Sequence, residues 1–183
     1  MESLMKVYSL SETVDKLKGP TREQIIVGNQ WAAVALNKFH NASKANIVVI
    51  NDNKSETLEL KWDSDFSASA MVENVDMANH GGVALAFFLM SVLNDYDYVE
   101  QSEIGDGVDY RFKTHEPSDD DLNFLNDFHY VEISGILKET QTNTLKKRIK
   151  AKHEQIKRGA KKDKSSSVIV TLFSQPQTVR EIH

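Results

Sequence analysis

The chain has no cysteine in its 183 residues and only three prolines and eight glycines. Without cysteine, it has neither a disulfide framework, nor a cysteine-based zinc site, nor a thiol nucleophile. The N-terminal residues lack a basic start followed by an apolar core, and no uninterrupted apolar run approaches the roughly 20 residues that span a bilayer. We therefore expect a soluble, cytoplasmic protein with no membrane partner.

Two familiar catalytic signatures are also missing. Gly81 and Gly82 are not accompanied by a Gly-x-Gly or Lys-Ser/Thr pattern, which favours a packing role over a phosphate loop. The run from Glu132 to Ile136 does not have the Gly-x-Ser-x-Gly pattern of a nucleophile elbow, although histidines are available elsewhere. A serine-hydrolase mechanism at Ser134 therefore has little support.

Charge is divided unevenly along the chain. Residues 144–183 hold 11 Lys and Arg against 3 Asp and Glu, a net +8, while the other residues hold 11 against 24, a net −13. This division suggests a basic surface for a polyanion or acidic partner beside an acidic body. The charge alone does not identify that partner.

Residues 1–70 are predicted to form an accessory unit of one helix and one β-hairpin. Thr21, followed by Gln24, is a good N-cap for a helix over 21–42, which Gly28 is expected to bend or break. Apolar and polar residues then alternate in short runs over 45–50 and 56–62 around a polar turn, the pattern of a hairpin with one buried face.

Residues 71–183 are predicted to form the core of a compact α/β protein, centred on about 75–175. The elements, in order, are a helix over 75–93, strands over 96–102, 108–114 and 128–136, a helix over 144–158 and a strand over 168–173. The helix over 75–93 is apolar nearly all round from Val83 onward, which is typical of a helix buried inside a domain.

Two carboxylates fall in neighbouring strands of this core. Asp109 begins the second strand, and Glu132 lies in the third. Together with the helix-strand-strand-strand-helix-strand order, these positions resemble the restriction-endonuclease-like (PD-(D/E)XK) superfamily, whose aspartate and second acid occupy corresponding strands. The resemblance covers roughly the C-terminal half of the chain and implies a nuclease of a restriction, repair or anti-phage defence system.

The resemblance also implies a metal-dependent reaction. Asp109 and Glu132 would bind Mg²⁺ or Mn²⁺, because hydrolysis of a phosphodiester needs a cation to activate water and to neutralise developing charge. The family's lysine, two residues after the second acid, is replaced here by Ser134, which is left with an orienting role. A lysine from another position is then needed, and Lys113, Lys138, Lys147 and Lys150 are the candidates.

The basic helix over 144–158 is the predicted nucleic-acid contact. Its candidate phosphate-binding side chains are Lys146, Lys147, Arg148, Lys150, Lys157 and Arg158. Aromatic residues for stacking on single strands are absent from this segment, so contact with the backbone of duplex DNA is favoured. Binding of this kind weakens steeply with salt and carries little sequence preference.

The sequence is also compatible with structural roles for the two acids and with non-catalytic functions for the chain. Glu132 fits the polar face of a half-buried strand, and Asp109 fits turn chemistry after Gly107. The chain is also compatible with a non-catalytic subunit that keeps a degenerate nuclease fold, needs no metal, and docks onto DNA or a larger assembly through its basic helix or its acidic loop at 116–127. A third possibility is an interaction protein whose charge asymmetry serves head-to-tail oligomerisation.

Overall fold

One mixed sheet organises the α/β fold. The computed structural model describes residues 5–40, 43–63, 70–118 and 127–183, and within them it contains eight strands in one sheet and four helices. The strands are β1 (Val7–Ser9), β2 (Lys44–Asn51), β3 (Lys54–Lys61), β4 (Tyr98–Gln101), β5 (Tyr110–Lys113), β6 (His129–Ile136), β7 (Ser166–Leu172) and β8 (Gln177–Ile182). The helices are α1 (Glu12–Lys16), α2 (Arg22–Asn37), α3 (Asn74–Leu93) and α4 (Leu145–Arg158). The strand order is β1-β3-β2-β8-β7-β6-β5-β4.

The C-terminal part contains α3, β4, β5, β6, α4 and β7 in the order predicted from the sequence. Strands β4, β5 and β6 form an antiparallel meander. Helix α4 then carries the chain over the sheet, so that β7 lies parallel to β6. Of the acidic loop that precedes β6, residues 119–126 lie outside the described part of the chain.

The N-terminal hairpin belongs to the same sheet as this core. Strands β2 and β3 pair in the predicted hairpin around Asp52 and Asn53, and the Thr21 capping box begins α2 as expected. Helix α2 runs on through Gly28, so the predicted break does not occur. Strand β8, which the sequence patterns did not predict, joins the two halves by pairing with both β2 and β7. Strand β1 and helix α1 were also not predicted.

The two faces of the sheet carry separate hydrophobic clusters. The larger one lies under α2 and α3, and the smaller one lies under α4. Helix α3 is long and apolar enough to cross a membrane by length and composition, but about two-thirds of its most apolar window is buried inside the fold. It therefore serves here as the core helix, as its pattern predicted, which is consistent with a soluble protein.

Glycines let α3 lie directly on β6. A Cβ added to Gly82 would approach Gly135 N to 2.9 Å, and one added to Gly135 would meet Ala78 O at 1.8 Å. Such contacts leave no room for a side chain at either position. The predicted packing role of Gly82 is therefore confirmed, and the contact fixes α3 across the half of β6 that follows Glu132.

A buried polar cluster anchors the start of β6. His129 is only 6% exposed, and its ring nitrogens lie 2.8 Å from Ser165 Oγ and 2.9 Å from Ser167 Oγ. The Arg180 guanidinium on β8 lies 3.4 Å from His129 Nε2. Burial, reinforced by the positive charge of Arg180, lowers the pKa of His129 to about 4.

This environment predicts a pH-dependent loss of stability. Because the folded state disfavours protonated His129, stability contributed by the neutral ring is present above the unfolded pKa of 6.5 and is lost as pH falls toward 4. Between pH 7 and pH 5 we expect His129 to lower the free energy of unfolding by about 2 kcal/mol. Urea unfolding of the wild type and His129→Gln at both pH values isolates this contribution. The exposed His80→Gln should keep the wild-type pH dependence; an equal pH response in all three proteins would contradict the prediction.

Candidate functional site

The pairing of β5 with β6 ends early and leaves a gap that Asp109 fills. The two strands are in register only from Phe112↔His129 to Tyr110↔Val131, although β6 continues to Ile136. Beyond that point, the Ile133 N–H donates to Asp109 Oδ2 at 2.7 Å instead of to a strand carbonyl. The Asp109 carboxylate is thereby held at the edge of β6, next to Glu132.

Glu132 is a fully buried carboxylate on the face of β6 that α4 covers. Its Oε1 accepts a hydrogen bond from Lys152 Nζ, whereas its Oε2 is buried and has no hydrogen-bond partner in the described residues. Burial, and next the negative charge of Asp109, raises the pKa of Glu132 to about 7, although Lys152 acts in the opposite direction. The two acids are therefore close enough to interact strongly.

Lys152 reaches this acid from the sheet-facing side of α4. The helix begins at the Thr144 cap, whose side chain accepts from Lys147 N, and it packs on the sheet through Leu145, Ile149 and Ile156. Position 152 continues that stripe at helical spacing, so its lysine points inward where a fourth apolar residue would be expected. Its side chain is only 17% exposed and forms an ion pair with Glu132.

A cleft of about 760 Å³ opens beside this group of side chains. Asp109 and Ser134 line it from the sheet, and Arg148, Lys152 and Arg158 line it from α4, whereas the fully buried Glu132 does not line it. We call it the acidic cleft, after Asp109 and the neighbouring Glu132.

The loop before Asp109 is held against the end of α4. A Cβ added to Gly107 would approach Gly159 Cα to 2.7 Å, and one added to Gly159 would meet Asp106 O at 2.3 Å. Gly159 ends α4 as predicted, but its backbone φ is −78°, so the close approach of the loop, rather than a left-handed conformation, requires glycine there. The glycine pair thus sets the distance between Asp109 and α4.

The predicted site residues are brought together in part. Asp109 and Ser134 line the acidic cleft, and Glu132 is buried next to Asp109, on the same face of β6 as Ser134, without lining the cleft itself. Of the predicted phosphate-binding cations, Arg148 and Arg158 line the cleft. The other four, Lys146, Lys147, Lys150 and Lys157, are exposed elsewhere on α4.

The four alternative lysines considered from the sequence do not line the acidic cleft. Lys113 is buried against the Phe128 ring, at 4.9 Å from its centroid, and Lys147 donates to Gln141 O. Lys138 and Lys150 are exposed. The lysine that sequence reasoning missed is Lys152, and the available signal was a cation interrupting the row Leu145, Ile149, Ile156.

The arrangement suits a divalent cation held by few protein ligands. In the described part of the chain, no cluster of three or more His, Asp or Glu side chains could hold a metal ion. Mg²⁺, however, usually keeps several waters and is bound through one or two carboxylates. The unpartnered Glu132 Oε2 and the neighbouring Asp109 carboxylate fit that requirement.

Comparisons with known proteins identify no relative. No protein-family model, no curated protein and no solved structure matches this chain.

Proposed function

We propose that the protein is a metal-dependent nuclease whose active site is the acidic cleft. The observation that carries the proposal is the group formed by Asp109, Glu132 and Lys152: two adjacent acids, one of them fully buried, with a lysine from α4 directed at them. Carboxylates whose charges repel one another are costly to bury unless a cation or a proton compensates them. A buried acid with a perturbed pKa beside a cleft, as Glu132 is, marks a candidate functional site.

Asp109 and Glu132 would hold Mg²⁺ or Mn²⁺, with Glu132 Oε2 as the buried ligand oxygen. The bound cation would lower the pKa of a coordinated water and neutralise charge that builds on the phosphate. The hydrogen bond from Ile133 N occupies Oδ2 of Asp109, a residue that lines the cleft, and so restricts the orientation of that carboxylate. This preorganisation avoids the cost of arranging the ligand during the reaction.

Lys152 would supply the positive charge that Ser134 cannot. Its ammonium group donates to Glu132 Oε1 at the wall of the acidic cleft, where it can also stabilise negative charge on a substrate phosphate. A lysine on α4 can thus stand in for a lysine on β6, because Lys152 donates to Glu132 and position 134 lies on the same face of β6 as Glu132. Ser134 keeps an orienting role beside it.

Arg148 and Arg158 are the side chains of α4 best placed to contact the phosphates flanking the reacting one. Two hydrogen bonds to Asn143 Oδ1 hold the Arg148 guanidinium. Lys146, Lys147, Lys150 and Lys157 would extend the basic surface along the strand. Contacts of this kind give salt-dependent affinity with little sequence information.

The resemblance to the restriction-endonuclease-like superfamily fits this proposal. It rests on Glu132 within β6, on Asp109 directly before β5 rather than inside it as the sequence predicted, and on the order of α3 to β7. The same resemblance suggests a cytoplasmic role in bacterial restriction or anti-phage defence. Ser134 at the lysine position favours a non-catalytic DNA-binding or assembly subunit instead, and the following experiment separates the two.

Purified protein should cut DNA in Mg²⁺ or Mn²⁺ and should not cut it in EDTA. Plasmid, linear duplex and single-stranded DNA are incubated with the wild type and with Asp109→Asn, which removes a proposed metal ligand; the exposed Asp15→Asn serves as the charge-matched control. We expect cutting by the wild type and Asp15→Asn, and none by Asp109→Asn.

Cutting that resists EDTA, or that persists in Asp109→Asn, would refute the metal-dependent mechanism. An inert wild type that binds DNA, with a salt dependence that weakens on removing Lys147, Arg148 and Lys150, would support the non-catalytic subunit.

A further inference from the structure

A second depression, lined by aromatic rings, lies beside the acidic cleft. It has a volume of about 710 Å³ and is lined by residues of α2, α3, β4 and β5. Its aromatic side chains are Trp31, His80, Phe87, Tyr98 and Tyr110. We call it the aromatic cleft; its size is within the range of sites that take small molecules or parts of larger ones.

The two clefts share a wall. His80, Val83, Gln101 and Tyr110 line both of them. Tyr110 directly follows Asp109 in the chain, and its ring is fixed edge-on against Phe87, with centroids 5.0 Å apart. A ligand held at the Asp109 carboxylate therefore has the aromatic cleft as its immediate neighbour.

The chemistry of the aromatic cleft differs from that of the acidic cleft. Among the described residues that line it, none is a lysine or arginine, whereas Glu23 and Glu100 are present. Such a lining does not suit a second phosphate. Trp31 packs beside His80 at a centroid distance of 5.6 Å, and the side chains of Gln24 and Gln101 add amide groups to the lining. Flat rings beside amide donors and acceptors suit a flat, neutral, hydrogen-bonding ligand.

We infer that the aromatic cleft binds one unstacked nucleobase of the strand whose phosphate lies at Asp109 and Glu132. This inference rests on the proposed nuclease function and specifies its substrate. A nucleotide joins a phosphate to a planar base, so one nucleotide can occupy the acidic cleft with its phosphate and the aromatic cleft with its base. Enzymes that extrude a base stack it between aromatic side chains and hydrogen-bond its edge.

The preferred substrate is then a strand with an unpaired base at the reacting phosphate, in a bulge, a mismatch or a single strand. Such a base avoids the cost of unpairing that a fully paired duplex imposes. The aromatic rings that α4 lacks are thus supplied by α2, α3, β4 and β5, on the other side of the shared wall.

The test compares binding of two fluorescein-labelled oligonucleotides in Ca²⁺, which keeps an oxygen-binding cation available to the carboxylates, one a paired duplex and one carrying a single bulged 2-aminopurine. Trp31→Ala should weaken binding of the bulged duplex by about 5- to 150-fold, because one base loses its stacking partner. Paired-duplex affinity should change by less than about twofold, since phosphate contacts remain. Quenching of 2-aminopurine on binding the wild type should be lost in Trp31→Ala and retained in Trp31→Phe.

A second variant controls for the possibility that Trp31→Ala weakens binding by destabilising the fold. Val27 lines the aromatic cleft and is 47% exposed, so Val27→Trp should fold normally while filling the cleft. It should reproduce the selective loss for the bulged duplex. Equal affinity of the wild type for both oligonucleotides, or an equal loss for both in the two variants, would overturn the inference.

Metal-dependent cutting by the same preparations separates this inference from the proposed function. Cutting that Asp109→Asn abolishes, without any preference for the bulged base, refutes the nucleobase site and leaves the nuclease standing. Selective binding of the bulged base without any cutting refutes the nuclease and supports the site. Failure to bind either oligonucleotide overturns the nucleobase site, whatever the cutting assay shows.

Discussion

Replacing Lys152 with glutamine is expected to slow metal-dependent cleavage by about 100- to 1000-fold, the usual effect of removing one charge-stabilising donor from a preorganised site. Glutamine preserves a donor near Glu132 Oε1 but removes the positive charge that the acidic cleft otherwise receives at this point. The rate constant at saturating substrate should fall more than the apparent affinity, because the ammonium group is expected to matter most when charge builds on the phosphate.

The control for this measurement is Lys54→Gln, which removes the same charge from an exposed position in the hairpin. It should leave both kinetic constants close to those of the wild type. Lys152→Arg, which keeps the charge in a bulkier group, should retain part of the activity. Cleavage at the wild-type rate by Lys152→Gln would show that Lys152 only compensates the buried Glu132 charge.

Glu132→Gln is expected to abolish cleavage while stabilising the metal-free fold. The pKa of Glu132 is raised from 4.5 to about 7 by burial and by Asp109, so ionising it lowers stability as pH rises through that window. At pH 8 in EDTA, the neutral amide should raise the free energy of unfolding by about 1 to 3 kcal/mol, because the raised pKa already includes the opposing effect of Lys152 on the ionised carboxylate. Denaturant unfolding of the two proteins measures the difference.

The charge-matched control is Glu56→Gln, at a carboxylate that pairs with Lys6 on the surface. Exposed pairs contribute little, so the free energy of unfolding of Glu56→Gln should differ from that of the wild type by less than about 1 kcal/mol.

The gain in the free energy of unfolding for Glu132→Gln should also shrink toward pH 5, where the wild-type carboxylate is protonated. A destabilised Glu132→Gln at pH 8 would mean that the ion pair with Lys152 contributes more than burial of the acids costs. Opposite effects on activity and stability are the usual sign of a functional site.

The elements around the site could be predicted because their patterns are local. The alternation before Trp62, the apolar run in α3 and the Thr21 capping box are set by residues a few positions apart, and each gives an element close to the predicted one. Asp109 and Glu132 were also found from local patterns, since each is a lone acid in a strand-like run.

The elements and residues that were missed depend on long-range contacts. Strand β8 has buried Thr178 and Arg180 where a core strand usually has apolar residues, and its burial follows from lying between β2 and β7. Lys152 looked like one more cation of a basic helix, because only the packing of α4 on β6 brings it to Glu132. The shared wall of the two clefts likewise joins segments far apart in the sequence, so no local pattern could indicate it.

The central claim is that Asp109 and Glu132 together bind a divalent cation, and diffraction from crystals soaked in Mn²⁺, with anomalous data collected near the manganese absorption edge, tests it most directly. The account predicts an anomalous peak about 2 Å from an oxygen of each carboxylate, and no such peak in Glu132→Gln. The absence of a peak between Asp109 and Glu132 in well-soaked wild-type crystals, or a peak that Glu132→Gln leaves unchanged, would contradict it.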